Sequence, residues 1–157
     1  MTPKQLPVAA DDMQIKELVV EWSEHLAHKR YAEALGMIPS ANAEMEWTPV
    51  LLEKVILGYG VLDIDSDSLQ GLLNHWEVSE FEVTTLIGRE DRDEIIREKI
   101  DVDRENHFGL DQSKYLGMVH YDDVPLCGYR SDLTARFCIK KLGDDFLSLE
   151  FLDLHVM

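Results

Sequence analysis

The chain has 157 residues, 45% of them hydrophobic and 29% charged, and its 31 acidic side chains against 15 basic ones leave a formal net charge of −16. That composition fits one soluble globular domain and argues against disorder along the whole length. The acid excess disfavours nucleic acid, anionic membrane and phosphate as partners and favours basic ones.

Taken in chain order, residues 1–10 read as a loose tail with two prolines, and Asp11 or Asp12 is placed to cap a helix. Ile15, Leu18, Val19, Trp22 and Leu26 then recur at helical spacing, which predicts an amphipathic helix over about 12–29. Tyr31 to Ile38 predicts a short second helix. Thr48-Pro49 is a cap followed by proline at the first helical position, and Leu51, Leu52, Val55, Ile56 and Tyr59 form the stripe of a third, ended by Gly58 and Gly60. Asp63 to Ser68 reads as an acidic loop, and Leu69 to Trp76 as a turn or two of helix.

Beyond residue 80 the period changes to two. Phe81, Val83, Thr85 and Ile87 alternate and predict a strand. Residues 94–105 fit either periodicity, and the polar turn Gly88 to Asp93 before them favours a strand. Tyr115 to Tyr121 alternates again, and Leu133, Ala135, Phe137 and Ile139 alternate with polar residues as a half-buried antiparallel strand does. Gly143-Asp144-Asp145 is a tight turn. The apolar parity after it flips between Phe151 and Leu152, which predicts a bulge. Helices first and about five antiparallel strands after them define a single α+β domain over 1–157, with the N-terminal helices packed on a curved sheet.

In element order the chain resembles the nuclear-transport-factor-two-like superfamily, the cystatin-like cone fold of ketosteroid isomerases and polyketide cyclases. The stretches Val119-His120-Tyr121-Asp122-Asp123-Val124-Pro125-Leu126 and Ser131-Asp132-Leu133-Thr134-Ala135-Arg136-Phe137 resemble small bacterial domains of unknown function. The cone resemblance implies a pocket between sheet and helices, where an Asp or His in an apolar setting acts as general base. The side chains it nominates to line that pocket are Trp22, Tyr31, His120, Asp132 and Arg136, with Asp132 and Arg136 readable equally as a plain salt bridge.

Motifs that fix a reaction are lacking. Asp63-x-Asp65-x-Asp67 opens like a calcium loop, but Ser68 stands where glycine is needed and Asn74 where a bidentate glutamate is needed, so a solvated loop is expected. Glu21, Glu24, His25 and His28 crowd one stretch of the first helix without the HExxH pattern or a distant third ligand, and read as surface pairs. The sequence holds neither a GxSxG elbow nor a phosphate-binding glycine loop. No catalytic residue, metal ligand or cofactor is assigned. Cys127 and Cys138 form no CxxC and read as reduced thiols. No apolar run approaches the ~18–20 residues of a membrane span, and Met1 to Pro7 shows no signal-peptide pattern, so a cytoplasmic chain is expected.

The expected function is that of a non-catalytic acidic binding protein of bacterial type, capturing a basic protein as immunity proteins do. Residues 61–80 carry Asp63, Asp65, Asp67, Glu77 and Glu80 and no base, so the contact is expected there and across Glu90 to Asp103. The alternative is a cone-fold small-molecule-binding protein or an isomerase- or cyclase-like enzyme. A monomer or a homodimer fits; the polar Thr134, Arg136 and Lys140 argue against a large apolar dimer face.

Overall fold

In the computed structural model, residues 3–40, 46–60, 67–105 and 111–156 are described. Asp11 caps α1 (Asp12–Ala27) with a capping box: its carboxylate accepts from the Gln14 N–H at 2.8 Å, and the Gln14 side chain accepts from the Asp11 N–H at 2.9 Å. All five residues of the apolar stripe are buried. α2 (Tyr31–Met37) follows directly. α3 (Pro49–Leu57) starts as its sequence predicts, with the Thr48 hydroxyl accepting from the Leu51 N–H at 3.1 Å and proline in the first turn. α4 (Asp67–Trp76) is longer than expected.

Two expectations need correction. Phe81 to Ile87 is not a strand; a single bridge joins Val83 to Leu126. The carboxylate of Glu24 on α1 accepts from the Leu86 N–H and from the Thr85 hydroxyl, and that hydroxyl accepts from the Ile87 N–H. Side chains thus occupy the donors that a strand partner would use. Residues 94–105 are half helix: α5 (Arg92–Glu98) precedes β2 (Ile100–Asp103). A strand would send Ile95 and Ile96 to opposite faces, whereas the helix buries both. Asp93 and Glu94 in its first turn and Arg97 in its last suit the helix dipole.

The other strands are β3 (Tyr115–Tyr121), a two-residue pair β4 (Pro125–Leu126) and β5 (Tyr129–Arg130), then β6 (Leu133–Leu142) and β7 (Phe146–Val156). Leu6–Pro7, inside the expected tail, forms β1 on the edge of β7. The main sheet is antiparallel and curled, in the order β1-β7-β6-β3-β2. It has five strands, as expected, but β1 takes the place assigned to residues 81–87. The bulge lies where the parity flips: Arg136 pairs with Asp153 and Phe137 with Phe151, leaving Leu152 extra. The Leu152 carbonyl accepts from Trp47 Nε1 at 3.1 Å, so that tryptophan anchors the bulge and is buried. A second irregularity sits at Gly117, where a Cβ would lie 2.4 Å from the Asp103 carbonyl oxygen and φ is +142°.

Between α1 and the sheet lies an aromatic core. The Trp22 ring is 5.0 Å from Phe137 and 5.4 Å from Phe151, and Trp47 is 4.9 Å from Phe151. Tyr59, Phe81, Trp76 and Tyr129 form a second aromatic group beyond α3 and α4.

Candidate functional site

A cleft of about 660 Å³ opens where four pieces of chain meet. Its walls are Ala27 and His28 at the end of α1, Glu77–Glu80 after α4, Glu82–Thr85, and Cys127–Gly128 at the tip of the β4–β5 hairpin. The backbone shapes it in three similar ways. α1 ends in a Schellman motif: the Arg30 N–H bonds the His25 carbonyl and the Lys29 N–H that of Leu26. α4 ends in the same way, from Val78 to Leu73 and from Glu77 to Asn74. The left-handed residue of such a motif is usually glycine; here it is Lys29 (φ +58°) and Glu77 (φ +58°). The hairpin turn has positive φ at both central residues, Cys127 (+52°) and Gly128 (+86°), where Asn-Gly is the common pair.

Charge is concentrated here. Glu77, Glu80 and Glu82 line the cleft, and Lys29 lies 3.2 Å from Glu80 and 4.0 Å from Glu82. The hydrogen bond and charge of Glu80 raise the pKa of Lys29 above its ordinary value. Burial, with Glu53, Glu80 and Glu82 adding to it, pushes the Tyr31 phenol up to about 12. The Cys127 thiol donates to the Glu80 carbonyl at 3.3 Å; burial raises its pKa, opposed by a hydrogen bond to the Glu82 backbone and helped by the charges of Glu82 and Glu80, which favours the thiol form. His28 uses Nδ1 on the Glu24 carbonyl at 2.8 Å. The carboxylates give the cleft a negative lining.

The residues nominated for a pocket are not brought together. Trp22 is in the core, with its Nε1 the one fully buried side-chain polar atom without a partner among the described residues. Tyr31 is buried at the start of α2. His120 and Arg136 are cross-strand neighbours, alternating with Val119, Tyr121, Ala135 and Phe137 of the core, and so lie on the sheet face turned away from it. Arg136 grips Asp153 with both Nε (2.9 Å) and a terminal nitrogen, and His155 Nδ1 reaches the same carboxylate at 3.1 Å. The Asp132–Arg136 bridge is therefore not formed; Asp132 is exposed, and its N–H donates to the Tyr59 hydroxyl at 2.7 Å.

Of the expected contact residues, Glu77 and Glu80 line the cleft, Asp67 begins α4, and Asp63 and Asp65 lie outside the described residues, as does the opening of the calcium-like loop. In the 90–103 stretch, Asp91 and Glu94 are taken up by Arg89 and Arg130. Glu21, His25 and His28 turn to Lys4, Arg30 and the Glu24 carbonyl respectively. No group of three His, Cys, Asp or Glu placed to hold a metal exists among the described residues. Both cysteines are free, Cys138 buried and Cys127 partly so. Among the described residues no helix is long and apolar enough to cross a membrane. Glu82 was missed by the sequence reading, although it sits between buried Phe81 and Val83 and so had to face outward. His28 and Cys127 carried no signal that they share a cleft.

No protein-family model, curated protein or solved structure matches the chain.

Proposed function

We propose that this protein is a non-catalytic, cytoplasmic binding protein of bacterial type that captures a basic protein partner, in the manner of an immunity protein. The observation that carries this reading is the cleft lined by Glu77, Glu80 and Glu82, of which Glu80 and Glu82 pair with Lys29. Its physical logic is steering: on a chain of net charge −16, a concave acidic site raises the encounter rate with a cation and loses that advantage as salt screens it. The test is capture of a basic protein from the lysate of the protein's own host at low salt, with Glu77→Gln/Glu80→Gln/Glu82→Gln as the paired bait. A stoichiometric basic protein retained by the native bait and lost from the triple variant supports the reading. Equal retention on both baits sinks it.

A second reading has one observation of its own. The unpartnered Trp22 Nε1 lies in the space between sheet and helices, where a cone-fold protein of the transport-factor-like superfamily would hold a small molecule or run isomerase- or cyclase-like chemistry. The curled sheet and the element order support membership of that superfamily. A thermal-shift screen against neutral polar metabolites tests it: a Trp22-dependent shift would favour it, and a flat screen would count against it.

A further inference from the structure

Resting on the reading of the protein as a receptor for a basic partner, a more specific role attaches to the tip of the β4–β5 hairpin. Among the described residues, the two most exposed large hydrophobic side chains are Ile87, at 70%, and Tyr129, at 66%. They come from separate stretches of chain, and the backbone brings them to one place. Gly128 holds the loop that carries Ile87 at both ends: its N–H donates to the Thr84 hydroxyl at 2.7 Å, and its carbonyl accepts from Arg89 at 3.3 Å. Tyr129 is the next residue, paired across the hairpin with the fully buried Leu126.

The tip is held rigidly. The Tyr129 ring stands at 81° to that of Trp76 with centroids 6.3 Å apart, so the two rings form a corner. Trp76, partly buried, is fixed by Phe81 at 5.2 Å and Tyr59 at 5.5 Å. The facing loop is pinned by the Leu86 N–H on Glu24 and the Ile87 N–H on the Thr85 hydroxyl. A preorganised aromatic surface loses little entropy on binding, and such residues anchor protein interfaces. None of these contacts uses a carboxylate of the cleft lining. Charge selects the occupant. An exposed ring stacks with a nucleobase or a guanidinium, and a chain of net charge −16 repels the first and attracts the second. The chain's own nearby guanidiniums, Arg89 and Arg130, are paired with Asp91 and Glu94.

We propose that the tip formed by Ile87, Trp76 and Tyr129 is the docking surface for an arginine of the basic partner, whose guanidinium stacks on the Tyr129 ring in the corner it makes with Trp76. Arginine fits better than lysine, because its planar, weakly hydrated head stacks on an aromatic face while an ammonium holds its water. The division of labour is then clear. The net negative charge speeds the encounter with any cation, and the tip distinguishes one cation from another.

The test compares two fluorescein-labelled peptides of equal charge, hexaarginine and hexalysine, by anisotropy at low ionic strength. The native protein is expected to bind hexaarginine about two- to fivefold tighter, from the worth of an exposed cation–aromatic contact. Tyr129→Ala, at an exposed position that folding tolerates, is expected to erase that ratio and leave hexalysine binding unchanged. A native protein without the preference, or a preference that survives in Tyr129→Ala, overturns the tip. Glu77→Gln/Glu80→Gln/Glu82→Gln separates this from the reading of the cleft. If the triple variant weakens both peptides equally while Tyr129→Ala changes nothing, the acidic receptor survives and the tip falls. If the triple variant binds both as the native chain does, the cleft reading falls and the arginine-to-lysine ratio alone decides the tip. A native dimer in sedimentation velocity that Tyr129→Ala dissociates would give the tip to a second copy of the chain and also overturn the proposal.

Discussion

The aromatic core beneath α1 and the cleft at the end of α1 are built from the same helix by opposite means. In the core, ordinary helical and extended backbone carries large apolar side chains at their natural periods, and Trp22, Phe137 and Phe151 meet in ring contact. At the cleft, three non-glycine residues, Lys29, Glu77 and Cys127, hold left-handed backbone, and the side chains there are charged or polar. The core gains stability from these contacts, against the cost of the unpartnered Trp22 Nε1. The cleft gives some up, since each left-handed L-residue costs of order 1–2 kcal/mol. Tyr59 and Asp123 also hold left-handed backbone, away from the cleft lining, so the strain is not confined to the cleft.

The sharpest way to break this comparison is to hollow the core. Phe137→Ala removes a fully buried ring that touches both Trp22 and Phe151. It is expected to cost about 3–5 kcal/mol in chemical denaturation. A loss under 1 kcal/mol would mean that this cluster does not organise the fold. Next comes Glu24, which joins the two regions: its carboxylate ties α1 to Thr85 and Leu86 on the cleft wall. Glu24→Ala leaves those donors unmatched and should cost about 1–3 kcal/mol. Hydrogen exchange should then speed up at Leu86 and Ile87 while the core amides around Phe137 stay protected. Uniform loss of protection would show that core and cleft unfold as one unit.

Acid sharpens the contrast on the far face of the sheet. Burial raises the pKa of Asp153, but the hydrogen bond and charge of Arg136, with His155 behind them, more than offset it and hold the carboxyl below its ordinary value of 3.8. A depressed folded-state pKa contributes stability that is present above the unfolded value and lost as pH falls below about 4. Denaturation midpoints should therefore drop as pH falls below about 4, and Arg136→Met should flatten that drop. An unchanged slope in the variant would remove Asp153 from the account of acid stability.

How much of this was legible follows from what each region is made of. The stripe Ile15, Leu18, Val19, Trp22 and Leu26, the Thr48-Pro49 cap and the parity flip at Leu152 are local patterns with one physical meaning each, and all three are where the sequence puts them. Residues 81–87 misled because Phe81 and Val83 do alternate into the core, while Glu24, some sixty residues earlier, takes the Leu86 N–H and the Thr85 hydroxyl takes that of Ile87. Ile95 and Ile96 misled because two adjacent isoleucines fit either period until something is packed against them. That Glu77 and Glu80 belong to an acidic stretch could be read from 61–80, since charge can be counted along a chain. That His28 and Cys127 join them could not be counted, because a cleft made by a helix end, two loops and a hairpin tip is a property of the packing alone.

The smallest effect is the most discriminating. Glu77→Gly relieves a left-handed residue at the end of α4 and removes one carboxylate from the cleft. If the cleft trades stability for charge, the two changes run in opposite directions: the variant should be about 0.5–1 kcal/mol more stable than the native chain, yet bind hexalysine more weakly. Glu77→Gln separates the terms, since it keeps the strained backbone and loses only the charge. It should leave stability nearly unchanged and weaken binding as much as Glu77→Gly does. A glycine variant both more stable and equally good at binding would leave the strain at Glu77 without a function, and the difference between core and cleft would be one of backbone geometry only.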